Sequence, residues 1–466
     1  MDHTEKLGQE KVLKLLLEFS IPAIVGMLVS ALYNVIDRIF IGNSSGALGL
    51  AGITVGFPII IIQMAFGGMI GIGSTSLISI KLGQRNKEDA EHIMGNSVVL
   101  LGVISLLITV SGLLFLDPIL IIFGASAEVL PYARDYMSII LFGSVFASVS
   151  FGMNNFIRAE GKPGVAMATM LIGAVMNALL APLFIFGFHW GMKGAGLATI
   201  LSQAISATWI VSYFFTGRSI LKIRRVNMKL DLRLIGKIVT IGLAPFSMQL
   251  ASSVVTALMN NSLRTFGGDL AISGLGIVNS LVTLIILPII AINQGAQPII
   301  GYNFGAHKYD RVLTTLKFSI LGATCISTLG FIVTRLFATP LISLFSGKDQ
   351  ALIELGSHML KVILLFLPIV GFQVVGAGYF QAIGKATQSI FLSLSRQVLF
   401  LIPALLILPG FFKLDGVIAS GPAADLLSAV VTGICLFFGI RTLVHNQKTV
   451  VMPELTPLTH QAEKTW

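Results

Sequence analysis

Apolar runs recur along almost the whole chain, separated by short polar connections. A helix needs about 20 residues to cross a hydrocarbon layer of roughly 30 Å, and the runs reach that length again and again. Their spacing predicts twelve spans, beginning near Leu15, Gly52, Ile93, Ala133, Val165, Gly194, Ile235, Ile272, Leu313, Leu355, Gln388 and Gly416. No segment shows the alternation of a barrel strand. Lipid offers the backbone no partners, so an all-α polytopic membrane protein is the class that fits.

The first six spans and the last six share a pattern. SIPAIVGMLVSALYNVIDRIFIG and LAPFSMQLASSVVTALMNNSLRTFG align with Pro22 on Pro245. Gly52 likewise meets Gly274, Gly73 meets Gly295, Gly83 meets Gly305, and Gly161 with Lys162 meets Gly384 with Lys385. The expected organisation is two pseudo-symmetric six-helix lobes, at residues 1–217 and 235–445, joined by a basic linker at 218–234 and followed by a tail at 446–466. An even number of spans per repeat starts both lobes on the same side, related by an axis along the membrane normal, with a cleft between them. Glycines such as Gly67, Gly68, Gly71 and Gly73 allow close helix approach. Pro22, Pro245, Pro288 and Pro298 fall inside spans, where a missing N–H and a ring clash bend a helix; bends at matching places in both halves suit either rocking lobes or static kinks.

Composition agrees: of 466 residues, 55% are hydrophobic and 11% charged, against about 25% charged in soluble proteins. The net charge of +10 does not mark a nucleic-acid binder, because the basic residues crowd into alternate connections. These include Arg85 and Lys87, Arg158 and Lys162, the run from Arg218 to Lys237, Lys308 and Arg311, and Lys385. The positive-inside rule then places the linker and both termini in the cytoplasm. The N-terminal segment lacks the apolar core and cleavage site of a signal peptide. Cys325 and Cys435 lie in apolar runs and read as packing residues. There is no Walker loop, GxSxG elbow or zinc-type spacing, and all seven histidines fall near helix ends or in the tails. A non-enzyme without a cofactor, driven by an ion gradient, is the consequence.

A charge within hydrocarbon costs about 2.5–3.5 kcal/mol on insertion scales, so an intramembrane acid is a functional candidate. Asp37 stands out, five residues before Gly42 and therefore about 7 Å from the expected end of the first span. Its neighbour Arg38 points about 100° away round the helix and can snorkel outward. The second repeat carries Asn260 in place of Asp37, which makes the lobes chemically unequal and puts the ion or proton site in the first. Asn177, Thr199 and Gln203 lie at comparable depth; their neutral oxygens suit a sodium ion, the tuning of a proton site, or plain hydrogen bonds between helices. Gln203, Asn260 and Gln294 are expected to line the cleft. Arg396 and Asp425, deep in the eleventh and twelfth spans, are expected to form a structural ion pair.

The segments YNVIDRIFIG, GAQPIIGYNFGA, FIRAEGKP, LSRQVLFLIP and GPAAD together resemble the MATE family, the multidrug and toxic compound extrusion transporters, in its MepA-like bacterial branch. The resemblance covers nearly the whole chain. It implies alternating access of two lobes in the bacterial cytoplasmic membrane, and export of amphipathic, often cationic, drug-like molecules by antiport with protons or sodium. It places the family's first-lobe acid on Asp37, its bending proline on Pro22, its asparagine on Asn177 and its threonine on Thr199. One position departs: the family commonly has an aspartate four residues after the asparagine, whereas NALLAP here carries Ala181. One carboxylate can still take a proton, while a sodium site at Asp37 loses a ligand, so the expectation is proton coupling, or impaired coupling if Ala181 is an introduced change. The competing readings are weaker. A lipid-linked oligosaccharide flippase would be expected to show several deep arginines, where only Arg396 is deep, and an intramembrane transferase would need clustered acids or a histidine at one interface. A lipid bilayer and small molecules are the expected partners, with no nucleic acid, and a monomer is expected.

Overall fold

The computed structural model describes residues 3–346 and 349–451, and among these residues there is no strand. Among the described residues eight helices are long and apolar enough to cross a membrane, or ten when each of two bent pairs counts as one span. Two of the ten remain far too long. Val12–Gly83 has 72 residues, which as one rod would exceed about 100 Å, and Ala386–Val444 has 59. Each folds back on itself. A Cβ on Gly42 would lie 3.2 Å from Leu50, which is possible only if the chain reverses at Gly46, the one residue of that helix outside helical geometry. Gly416 likewise packs on the Leu408 carbonyl across the break at Lys413. Twelve spans result.

The first lobe holds spans at 12–45, 47–83, Lys87–Leu114, 130–159, Pro163–Gly187 and Gly191–Phe215. The second holds Leu232–Gly268, Leu270–Gly305, Tyr309–Leu336, 350–382, 386–412 and 414–451. A short lead-in helix, His3–Gln9, precedes the first span. The first span thus runs past Gly42, its expected end. The polar stretch NSSG reads as a loop in sequence, but helix satisfies its backbone groups at no cost in burial. Asp37 is therefore nine residues, about 13 Å, inside the reversal.

Duplication is visible in the backbone itself. Left-handed residues occur in matched pairs: Gly46 and Gly268 at φ 62° and 63°, Arg85 and His307 at 59° and 57°, Gly161 and Gly384 at 85° and 75°. At Gly46 and Gly268 this geometry turns the chain between antiparallel spans, and glycine adopts it without the Cβ clash other residues meet.

Burial divides the molecule into two ends. Two apolar cores belong to one lobe each: one centred on Ile41, Tyr136 and Ala181, the other on Leu263, Met359 and Ile418. The other two cores mix the lobes, joining Met69, Ile78 and Leu82 to Ile238, Ile299 and Tyr302, and placing Leu16 among second-lobe residues. The lobes are fused at the end that carries the linker and separate toward the opposite, open end. Small residues make the fusion possible. A Cβ on Gly83 would collide with the Tyr302 carbonyl, and one on Gly305 with the Ile80 carbonyl, a reciprocal pair under the pseudo-twofold. Gly73 meets the seventh span at Ile238, and its counterpart Gly295 meets the first at Ser20.

The linker is not a loose tether. Leu221 N–H donates to Glu160 Oε1 at 3.0 Å, Lys222 N–H to Glu91 Oε1 at 3.1 Å, and Asp231 N–H to Asn96 Oδ1 at 2.8 Å. Glu160 also accepts from the Tyr213 and Ser219 hydroxyls. Burial pushes its carboxyl up, against the downward pull of those donors. The segment predicted as a linker thus lies stapled to the first lobe through Glu91, Asn96 and Glu160, all buried. The expected tail begins as a continuation of the last helix to Val451, and its remainder lies outside the described residues.

Candidate ion and substrate site

Asp37 is 8% exposed, and its Oδ1 has no hydrogen-bond partner. Arg38 makes no ion pair with it. The guanidinium lies 5.7 Å from the centre of the Phe57 ring, a cation–π arrangement that satisfies the cation away from the acid. Two phenols lie in the neighbourhood of the carboxylate, Tyr33 one turn earlier on the same helix and Tyr136 of the fourth span.

Tyr136 links the acid to the other predicted oxygens. Tyr136 lies close to Thr199, and Asn177 Nδ2 donates to Thr199 Oγ1 at 3.3 Å. Thr199 in turn donates to the Ala195 carbonyl at 3.0 Å. Three predicted residues therefore share one buried region at the open end of the first lobe, Asp37 joining Asn177 and Thr199 through Tyr136. Tyr136 was not legible in the sequence, because a single aromatic on an apolar helix reads as packing. Ala181, one turn beyond Asn177, is fully buried in the same core and contributes no oxygen. The fifth span widens to π-helical geometry just beyond it, at Leu183–Gly187, a distortion often found at functional sites. Among the described residues no group of three or more metal-type ligands occurs.

The remaining candidates separate. Gln203 is partly buried and is not drawn into the Thr199 network. Asn260, the counterpart of Asp37, is exposed. With Ser253, Thr256, Asn279, Ser280 and Thr283 it gives the open end of the second lobe a row of exposed neutral polar groups on adjacent spans. Polar groups at membrane depth face a water-filled cavity in preference to lipid. Gln294 differs from the expected cleft residue: it is partly buried at the junction of the lobes, and its Oε1 accepts from Arg158. Arg158 itself is 7% exposed. Pro22 lies in a continuous helix, without a non-helical residue beside it.

In the second lobe Arg396 Nε lies 2.5 Å from Asp425 Oδ1, with the Asp425 side chain only 7% exposed. Arg396 sits on a second π-helical segment, Ser395–Leu401. Its neighbour Gln397 reaches across to Ser252 of the seventh span at 3.1 Å.

Two lobes of six helices, fused at one end and parted at the other, with the unpaired acid Asp37 within a span of one lobe, define a polytopic transporter fold. The chain belongs to the MATE family: the MatE family model matches residues 22–183 and again 245–406, one match per lobe. It is 30% identical to the multidrug export protein MepA of Staphylococcus haemolyticus, over 90% of this chain and 92% of that protein. The solved structure of the MATE multidrug transporter DinF-BH, in complex with a small-molecule ligand, superposes with a TM-score of 0.85 at 39% identity, covering 91% of this chain and 95% of that one. The outward-facing conformation of a multidrug resistance MATE family transporter superposes at 0.89 with 25% identity, over 94% and 98%.

Proposed function

We propose that this protein is a secondary active exporter of amphipathic, often cationic organic molecules, exchanging them for protons at Asp37 by alternating access of its two lobes. The observation that carries the coupling is the enclosed Asp37 carboxylate, which has an oxygen without a donor and no cation paired with it. A carboxylate buried in this way is stabilised by taking up a proton. A cationic substrate arriving in the cleft supplies a competing positive charge that favours proton release, which is how the two movements are linked.

Sodium is the poorer occupant. Such an ion wants several oxygen ligands, and Thr199 already donates to one neighbour and accepts from another while Ala181 offers nothing. Export of drug-like molecules is supported by the relatives named as multidrug exporters and by the ligand complex of DinF-BH. The linker end, rich in lysine and arginine, is the cytoplasmic side by the positive-inside rule, so both termini are cytoplasmic and the cleft opens outward in this conformation. Both lobes and the whole cleft lie in one chain, so transport by this route requires no second copy. Pairing of Arg396 with Asp425 leaves no free deep arginine in the eleventh span for a lipid-linked phosphate, which weighs against a flippase.

The test is ethidium efflux from energised vesicles under an imposed pH gradient or an imposed sodium gradient. Efflux driven by the pH gradient, and reduced to background by Asp37→Asn, is the expected result. Efflux that requires sodium, or that survives Asp37→Asn, overturns the proton-coupled reading.

A further inference from the structure

Each lobe is preceded by a short segment at the linker end, and each of these segments is bound by the opposite lobe. The lead-in helix His3–Gln9 runs directly into the first span, yet its carbonyls are held by second-lobe side chains. Asn303 Nδ2 donates to Leu7 O at 3.0 Å, Lys308 Nζ to Gly8 O at 2.8 Å, and Arg311 Nη2 to Leu7 O at 3.1 Å and to Glu10 O at 2.6 Å. The last carbonyls of a helix have no intrahelical partner and carry partial negative charge; here two cations from the other lobe supply what is missing. Arg311 is itself aimed by Asn303, through an Nε to Oδ1 bond of 3.0 Å. Leu7 is fully buried, and it lies in the mixed core with Ile78 and Leu82 of the second span and Ile299 and Tyr302 of the eighth. A salt bridge of 2.7 Å from Lys6 to Glu18 ties the same helix to the first span.

The segment leading into the seventh span repeats the arrangement with the lobes exchanged. Asn96 of the third span accepts from Asp231 N–H and donates to Asn227 O at 3.3 Å. Gly95 leaves room for the short 3₁₀ turn Arg225–Met228 at Asn227, where a Cβ would collide with the carbonyl. One strap therefore crosses from each lobe to the other, and both lie where the lobes must part if the cytoplasmic side is to open.

We propose that Asn303 and Arg311 are positioning residues for the transport cycle: through the lead-in helix they hold the cytoplasmic ends of the two lobes together, with Asn96 acting reciprocally on the second strap. This rests on the alternating-access reading, since only a protein whose lobes separate at this end needs a releasable clasp there. Releasing the strap removes four hydrogen bonds between lobes and withdraws Leu7 from the mixed core, so its loss favours the inward-open state.

Ser79 reports on that state. It is fully buried at the seam, beside Gly301 of the eighth span. With Cys325 and Cys435 replaced by serine, Ser79→Cys is the only thiol, and a membrane-impermeant maleimide reaches it from the cytoplasmic side of inside-out vesicles only when the seam opens. Arg311→Ala is expected to raise the labelling rate about tenfold, the equivalent of one lost charge-assisted hydrogen bond, and Leu7→Ala to raise it at least as much by withdrawing a buried side chain from the mixed core. Arg311→Lys is expected to restore slow labelling in part. Size-exclusion profiles identify any variant that misfolds, and the milder Asn303→Ala keeps the test open if Arg311→Ala is lost. Unchanged labelling in the strap variants, with the parent labelled during substrate turnover, overturns the clasp and leaves alternating access standing. No labelling in any variant or condition overturns both.

Discussion

The two lobes descend from one pattern, but they treat their buried acids in opposite ways. In the second lobe Asp425 is neutralised by Arg396 at 2.5 Å. In the first, Asp37 is buried to a similar degree and makes no ion pair; the phenols of Tyr33 and Tyr136 lie in its neighbourhood, while the adjacent Arg38 is turned onto Phe57. A paired acid has nothing to gain from a proton, whereas an unpaired one does. The contrast is the ground for proposing the coupling chemistry in the first lobe and a scaffold role for the pair in the second. Asn260 completes the contrast: at Asp37's own place in the second repeat the side chain is neutral and exposed.

The largest effect is expected where the second lobe's pair is broken. Removing one partner leaves an uncompensated buried charge, which costs about 3–5 kcal/mol. Arg396→Ala and Asp425→Ala should each lower thermal stability and yield in detergent, and the exchanged pair Arg396→Asp with Asp425→Arg should recover much of the loss. If the exchanged protein is no better than either single variant, the pair is not what holds these helices together.

A smaller effect is expected when the first lobe is given the oxygen it lacks. Ala181 lies one turn from Asn177 and is buried in the same core as Tyr136, so Ala181→Asp adds a second carboxylate to the region. Two acids sharing one site do not both ionise readily, and a sodium ion gains a ligand and a compensating charge. Efflux under a sodium gradient should rise about tenfold over the parent, a change of roughly 1.4 kcal/mol in cation affinity. A variant that folds and stays indifferent to sodium would show that Ala181 is not the position that sets ion choice.

The sequence carried the outline of this molecule because its strongest signals are local or periodic. Twelve apolar runs, the repeat that sets Pro22 on Pro245, and the exchange of Asp37 for Asn260 all stand in the chain itself. Features that depend on which helix lies beside which were out of reach. The first span continues to Gly46 through a polar stretch that mimics a loop. Tyr136 joins the site only because the fourth span packs against the second at Gly52 and Gly56 and against the sixth at Gly196. Glu91, Asn96 and Glu160 look like ordinary surface polar residues until the linker folds back on them. Gln294, expected in the cleft, is used by Arg158 at the junction of the lobes.

The central claim is that Asp37 is the group that exchanges a proton for substrate. The direct test is proton release on ethidium binding, followed with a pH indicator and purified protein in weak buffer. The account predicts close to one proton released per ethidium bound by the parent, and none by Asp37→Asn even though it still binds. Equal release from both proteins would contradict it and place the coupling proton elsewhere.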